Sequence, residues 1–253
     1  MTDSQRIPTN LRTLLILEAL GKSDDPMTPT QINEHIGLPK QTVHRLCTTL
    51  EEEGFLTREA DGKHLRPSRR ARQMGFGLLH ASHHHIVRHQ VLADLAASVG
   101  ETVNFVVPED TGMHYLDRVD TGWPFRIQLP VGSNVPFHCT ASGKAFMASL
   151  SPSQRANFVS GLNLKSLTER THRSAETLLE DLKSCAKRGY ALDDQEFMEG
   201  MVAIAVPVID ASGRYAGSIA FHGPSQRLDV DTAVARLPEL KSAAKKLSDA
   251  MFS

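Results

Sequence analysis

Between residues 132 and 150 the chain reads GSNVPFHCTASGKAFMASL, with His138, Cys139, Ser142 and Lys144 inside seven positions. Three chemistries use such residues. A thiolate nucleophile needs a base that takes its proton. Residues 138 and 139 on an extended segment point to opposite faces, however, so His138 is badly placed to serve Cys139. Val135 and Phe137 also supply no positive charge to lower the thiol pKa. A phosphate loop ending at Gly143-Lys144 needs Gly at 138 and Ser or Thr at 145, where the chain has His138 and Ala145. A serine-lysine hydrolase needs SxxK, and the spacing here is S-G-K. The catalytic templates all miss. What the stretch does offer is a helix start. Thr140, Ala141, Ser142 and Gly143 expose backbone N–H groups at the positive end of a helix dipole. Small side chains there let a carboxylate approach. The competing reading is a plain helix cap with core residues.

Metal chemistry has two candidate sets, and neither is assigned. In HASHHHIVRH, His80 and His84, and again His85 and His89, stand four apart as a chelating pair would on a helix. No carboxylate or cysteine accompanies them at matching spacing, so a polar surface is the better reading. A pocket metal on His114, His138 or His222 with Asp193 has no spacing to support it. Cys47, Cys139 and Cys185 form no CxxC pair and fit a reducing cytoplasm. No cofactor is expected.

The elements that must position these residues follow from the pattern. The 253 residues are 40% hydrophobic and 23% charged, an ordinary globular composition with room for two domains. No apolar run reaches the roughly 20 residues of a membrane span, and MTDSQRIPTN lacks a secretory h-region. In LRTLLILEAL, Leu11, Leu14, Leu15 and Leu20 are expected on one helical face, with Ile16 and Leu17 widening it. Thr28, Pro29 and Gln31 form a capping-box start for a short helix that Gly37 ends. Pro39 opens PKQTVHRLCTTLEEEG, whose buried stripe is Val43, Leu46, Cys47 and Leu50. FLTREADGKHLRP reads as a hairpin turning at Asp61-Gly62. Residues 68–99 read as helical, with a break expected at Gly75 and Gly77. TVNFVV, MHYLDRV and FRIQLPV read as strands, as do MVAIAVPVID and YAGSIAFHG. Helices are expected at 140–150, SPSQRANFV, AETLLEDLKSCAKRG and from about Asp231 to Met251. The second half is therefore mixed, with a mainly antiparallel sheet.

Three helices and a hairpin make a winged helix-turn-helix. A major groove about 12 Å wide admits one helix, and the polar residues of its first two turns read the bases. Lys40, Gln41, Thr42, His44 and Arg45 occupy that half of the third helix. Gln41 can pair with an adenine edge and Arg45 with a guanine edge, Thr42 lying beside them. Thr30 and Lys40, at helix starts, are placed for phosphate oxygens. The wing carries Lys63, His64 and Arg66 inside KHLRPSRRAR, which holds five Lys or Arg and no acidic residue. A three-helix protein-contact module is the competing reading.

The order of segments resembles the IclR-type bacterial transcriptional regulators over nearly the whole chain. The matching stretches are LRTLLILEAL, MTPTQINEHIGLPKQTVHRLCTTLEEEGFLTRE, VPFHCTASGKAFMASL and DDQEFMEGMVAIAVPVIDASGRYAGSIAFHGPSQRL. The resemblance implies an α+β two-domain chain: a winged-helix domain (1–68), a connecting helix (69–83) and a C-terminal PAS- or GAF-like effector and oligomerisation domain (84–253). It implies a cytoplasmic non-enzyme that binds palindromic double-stranded DNA operators as a homodimer or tetramer, under control of a small organic acid or similar metabolite. The pocket residues it implies are Ile127, Val135, Ala141, Ser142, Asp193, Met201, Ala203, Ala220 and His222. The chain departs from the family at Ala203, where Cys is frequent, and near His222, where a small polar residue is common. A histidine there favours an anionic ligand, since imidazole and imidazolium both donate hydrogen bonds. An enzyme with an accessory helical domain, and a DNA-binding protein whose second half only dimerises, are the alternatives.

Overall fold

The structure is a computed structural model that describes residues 7–23, 25–81, 84–127 and 129–252, without the side chains of Phe76, Leu79, His80, Ala81 and His84. The His80–His84 pair therefore lies outside the described residues. The chain forms two compact units, Met1–Ser82 and His83–Ser253. Among the described residues no helix is long and apolar enough to cross a membrane.

The first unit contains α1 (Arg12–Gly21), α2 (Pro29–Ile36), α3 (Lys40–Glu52), the antiparallel hairpin β1 (Leu56–Arg58) and β2 (Leu65–Pro67), and α4 (Arg69–Ala81). The capping box forms: Gln31 N–H donates to Thr28 Oγ1 at 3.3 Å, and Thr28 N–H to Gln31 Oε1 at 2.8 Å. Gly37 closes α2 in the left-handed region at φ 71°, which an L side chain adopts only with strain. Ile16, Leu20, Ile32, Val43, Cys47, Leu50, Leu56 and Leu65 make one core, with Leu46 partly buried against it. On α1 the buried face is Ile16, Ala19 and Leu20, while Leu11 and Leu14 are exposed. The expected Leu11–Leu14 stripe was displaced because these three buried residues fall at i, i+3 and i+4 of each other. α4 runs unbroken through Gly75 and Gly77, where a break was expected.

The second unit begins with α5 (His84–Val99), then β3 (Thr102–Pro108), β4 (Met113–Val119), β5 (Asn134–Val135), α6 (Ala141–Ser149), α7 (Pro152–Ser160) and α8 (Ala175–Arg188). It continues with β6 (Ala191–Asp194), β7 (Met201–Ile209), β8 (Tyr215–Pro224), α9 (Val230–Ala235) and α10 (Leu237–Phe252). The six strands lie in the order β5-β4-β3-β8-β7-β6, every pair antiparallel. Alternation along β7 sends Val202, Ile204 and Val206 to one face and Ala203 and Ala205 to the other. The first face meets α10, and Arg88 of α5 stacks over Phe105 with 5.7 Å to the ring centre. The second face meets α6 through a cluster of Ala141, Ala145, Ala191, Ala203, Ala205 and Ala220. FRIQLPV is not a strand: among its described residues the backbone is irregular. Its carbonyls are taken by side chains instead, Phe125 O by Arg227 and Ile127 O and Leu129 O by Arg118, at 3.0, 2.7 and 2.8 Å. The C-terminal helix breaks at Arg236, one residue before Leu237-Pro238 opens α10.

Candidate functional site

On α3 the apolar stripe faces inward and leaves the opposite side to solvent. Lys40, Gln41, His44 and Arg45 are exposed and Thr42 is half-buried; among the described residues none of their side chains has a partner. Thr30 is exposed in the first turn of α2. The wing is less uniform than its sequence suggests. Lys63 is exposed and unpaired among the described residues, but the His64 ring contacts the Asp61 carboxylate and Arg66 Nε lies 2.6 Å from Glu59. Two more basic residues serve the fold. Arg70 donates to Glu53 O and covers the Phe55 ring at 4.3 Å, and Arg72 donates to Pro67 O at 2.9 Å. They fix α4 to the base of the hairpin. The run KHLRPSRRAR thus divides between contact and structure.

In the second unit, ladder register brings the expected pocket residues together. Asp193, Ala203, His222 and Thr102 stand side by side across β6, β7, β8 and β3. Ala191, Ala205, Ala220 and Asn104 form the next row on the same face. Met201 lies two residues before Ala203, opposite Pro224. Above them α6 begins at Ala141 and Ser142, both buried. Thr140 caps this helix by accepting the Gly143 N–H at 3.1 Å, while its own hydroxyl donates to Pro136 O at 2.7 Å. Gly143 has a different role from the one its sequence suggests. A Cβ there would sit 2.2 Å from Phe137 O, so the residue lets α6 close onto the chain before it, and its N–H is already used. Ala141 and Ser142 keep their N–H groups without an acceptor among the described residues. Val135 and Phe137 pack elsewhere, with Met113, Met147, Leu178 and Leu182, and do not join the alanine cluster. Ile127 enters through its carbonyl.

A chain of hydrogen bonds that sequence reading missed holds the far end of the row. Arg118 donates to Asp120 at 2.7 Å and to Asn104 Oδ1 at 3.3 Å; Asn104 Nδ2 donates to His222 Nδ1 at 3.0 Å. Burial, then the Arg118 charge, lowers the His222 pKa to about 4. The ring is neutral at pH 7, and its remaining proton sits on Nε2, 3.5 Å from Ile127 O. Of the two forms expected to be able to donate, this setting favours the neutral imidazole. Only the register of β3 against β8 could reveal Asn104, since 118 residues separate it from His222.

Lys144 fits no catalytic spacing, yet its side chain is almost wholly buried, beside Glu196 and 2.8 Å from Asp181. His172 Nε2 lies 3.6 Å from Asp181 and 3.7 Å from Glu196. Burial pulls the ammonium down, but the two carboxylates outweigh it and keep Lys144 charged. Among the described residues, His172, Asp181 and Glu196 are the group whose ligand atoms come within reach of one ion. The Lys144 ammonium already bonds both of those carboxylates. Among the described residues the other histidines do not converge on a site: His89 bonds Asp117 at 3.0 Å, His138 bonds Lys165 O at 2.9 Å, and His114 faces Glu109 at 4.0 Å. Burial, then Asp193 and Glu196, pushes the Cys139 thiol up to about 12, so it is no nucleophile.

Asp193 is fully buried. Its Oδ1 accepts the N–H groups of Glu196 and Phe197 at 2.7 and 3.2 Å, and its buried Oδ2 has no partner among the described residues. Burial, then the Glu196 charge, raises this carboxyl to about 8.

Comparison with known proteins accounts for both units. Residues 11–60 match the IclR helix-turn-helix domain, and residues 78–249 match the C-terminal domain of the bacterial transcriptional regulator IclR. The probable transcriptional regulator SauR of Cupriavidus necator is 38% identical over 94% of each chain. The transcriptional repressor IclR of Escherichia coli is 30% identical over 94% of this chain and 87% of that protein. The fold matches the crystal structure of Thermotoga maritima IclR at a TM-score of 0.65 and 24% identity, covering 97% and 99% of the two chains. It also matches an IclR homologue from Microbacterium hydrocarbonoxydans complexed with 4-hydroxybenzoate, at 0.61 and 21%, covering 96% and 98%. These relatives are regulators of transcription, not enzymes, and this chain belongs to the IclR family of bacterial transcriptional regulators.

Proposed function

We propose that the protein is a cytoplasmic regulator that binds a palindromic operator as a homodimer or tetramer and releases or engages it on binding a small organic acid. The observation that carries the DNA half is the set of unpaired polar tips on α3, opposite the stripe of Val43, Cys47 and Leu50. Arg45, Gln41 and Thr42 read base edges with His44 beside them, and Thr30 and Lys40 hold phosphates. Lys63 supplies the wing's free charge. His64 and Arg66 contribute less, because each already faces a carboxylate.

Residues 1–68 are the DNA-binding domain, 69–83 the connecting helix and 84–253 the effector and oligomerisation domain. The effector lies against the first turn of α6, between Asp193 and His222 over Ala203 and Ala220, with Met201 and Ile127 at the margins. The 4-hydroxybenzoate bound by the Microbacterium homologue supports an organic acid. Control follows from unequal affinity of the effector for two states of the protein, since equal affinity would shift nothing.

Arg45→Ala is expected to weaken operator binding by about 1–3 kcal/mol and relax base preference at one position. Lys63→Ala is expected to weaken binding to all sequences alike and flatten its salt dependence. Equal, sequence-blind losses for both variants, measured by titrating labelled operator and scrambled duplex at two salt concentrations, contradict these roles.

A further inference from the structure

The unpartnered Oδ2 of Asp193 lies among groups that already balance one another. Facing it are Glu196 from the turn after β6, Lys144 from α6, Cys139 from the segment before α6 and Tyr115 from β4. Behind Lys144 stand Asp181, His172 and Arg188, the last 3.8 Å from Asp181. Lys144, His172 and Arg188 all stand against Glu196 and Asp181, and among the described residues no cation lies within ion-pair distance of Asp193. An ionised Asp193 would be an uncompensated charge in a fully buried place. The backbone is arranged to keep the residue there. Gln195 takes a φ of 62°, which is unusual outside glycine, and this turn brings the Glu196 and Phe197 N–H groups back to Oδ1.

Among the described residues, the groups left free along the row are the N–H of Ala141 and of Ser142, the Ser142 hydroxyl, which can donate, and the Nε2–H of neutral His222, whose approach to Ile127 O is long at 3.5 Å. Resting on the effector pocket proposed above, we infer that Asp193 meets the effector as a neutral carboxylic acid, donating from Oδ2, so that the pocket selects an acid group that only accepts hydrogen bonds. An anionic head group then gains a donor where an ionised aspartate would repel it. The raised pKa sets the range over which this holds, because above about 8 the proton is lost and the donor becomes a competing anion. Above about 8, binding an anion takes up one proton; below it the proton is already in place and none is taken up. Ligands whose head group is an amine or an amide are disfavoured by the same set of donors.

The test uses the full chain and two readouts. Calorimetric titration with 4-hydroxybenzoate and with acetate, against 4-hydroxybenzamide and acetamide, is run from about pH 7 to about pH 9.5. Carboxylate affinity is expected to fall roughly tenfold per pH unit above about 8, with proton uptake seen as a dependence on buffer ionisation heat. Asp193→Asn, which keeps a buried donor at the same place, is expected to hold affinity within about threefold and lose the pH dependence, whereas Asp193→Ala loses affinity. Independently of any ligand, the infrared difference between wild type and Asp193→Asn is expected to show a carboxylic acid carbonyl band at neutral pH that vanishes when alkaline. Absence of that band at neutral pH overturns the inference whether or not a probe binds. So does pH-independent carboxylate binding, or an Asn variant as weak as the Ala variant. If neither acid binds at any pH while the band is present, it is the organic-acid reading of the pocket that fails, and the ligand half of the inference with it.

Discussion

Replacing Lys144 by Met removes the ammonium that hydrogen-bonds both Glu196 and Asp181 while keeping most of the side-chain volume. The Lys144 side chain is 2% exposed, and its partners are 22% and 10% exposed, so solvent screens the loss poorly. Breaking a buried pair by deleting one partner costs about 3–5 kcal/mol, because the other charge stays buried and unanswered. His172 and Arg188 stand 3.6 and 3.8 Å from Asp181 and supply part of the missing charge, which places Lys144→Met toward the lower end, about 3 kcal/mol. The pH trend has a definite sign. Asp181 is held well below the usual carboxylate range against the pull of burial, chiefly by His172 and Lys144. A depressed carboxyl gives stability that is present above its unfolded value and lost as pH falls. The deficit of Lys144→Met is therefore expected to be largest near neutral pH and to shrink under acid, where Glu196 and Asp181 take up protons and need no cation. Urea unfolding followed by Trp123, the single tryptophan and a residue of the second unit, reports it. The double variant Lys144→Met with Glu196→Gln is expected to recover part of the loss. A deficit below about 1 kcal/mol at neutral pH, or one that grows toward acid, refutes the reasoning.

Gly143→Ala puts a Cβ 2.2 Å from Phe137 O and 2.6 Å from Phe137 Cα, both backbone, and is expected to cost about 1–3 kcal/mol or more in the same urea assay. Gly75→Ala is its counterpart in the first unit: a Cβ there meets nothing within 4 Å, in the interior of α4, and is expected to stabilise that unit by about 0.5–1 kcal/mol, read by far-ultraviolet circular dichroism during urea unfolding. With Cys139 pushed up to about 12 and Cys47 to about 11, both by burial, and Cys185 raised for the same reason, native protein at about pH 8 is expected to show no fast thiol toward a disulfide reagent. One rapidly reacting thiol per chain contradicts that packing.

The DNA-binding unit was the more legible of the two because its signals are local. A capping box, a proline start, a glycine stop and an apolar stripe all act within a dozen residues, and each stands where its sequence places it. The exceptions needed tertiary information. Leu11 and Leu14 look like core and are exposed, and Arg70 and Arg72 look like wing charges but clamp α4. In the second unit, local patterns found most strands and helices yet misread Phe125–Val131, three of whose carbonyls are taken by Arg118 of β4 and by Arg227 from the turn after β8. Ala141, Asp193, Ala203 and His222 were reached by resemblance. Asn104, Glu196 and Asp181 were not, because only the ladder and the packing of α6 against α8 bring them near Lys144 or His222. The reactive-looking letters of GSNVPFHCTASGKAFMASL proved structural: the histidine binds a loop carbonyl, the thiol is inert and the lysine neutralises buried acids.

The two neighbouring rows on the sheet separate what pairs the strands from what the proposed pocket meets. Register across β6, β7, β8 and β3 is held by backbone hydrogen bonds, and those are indifferent to side-chain identity at Ala203, Ala205 or Ala220. On the proposed reading of the pocket, a modest change at one of these positions would alter the space between Asp193 and His222 at a packing cost against Ala141 and Ala145 of α6, with the strand pairing kept and α3 of the first unit untouched.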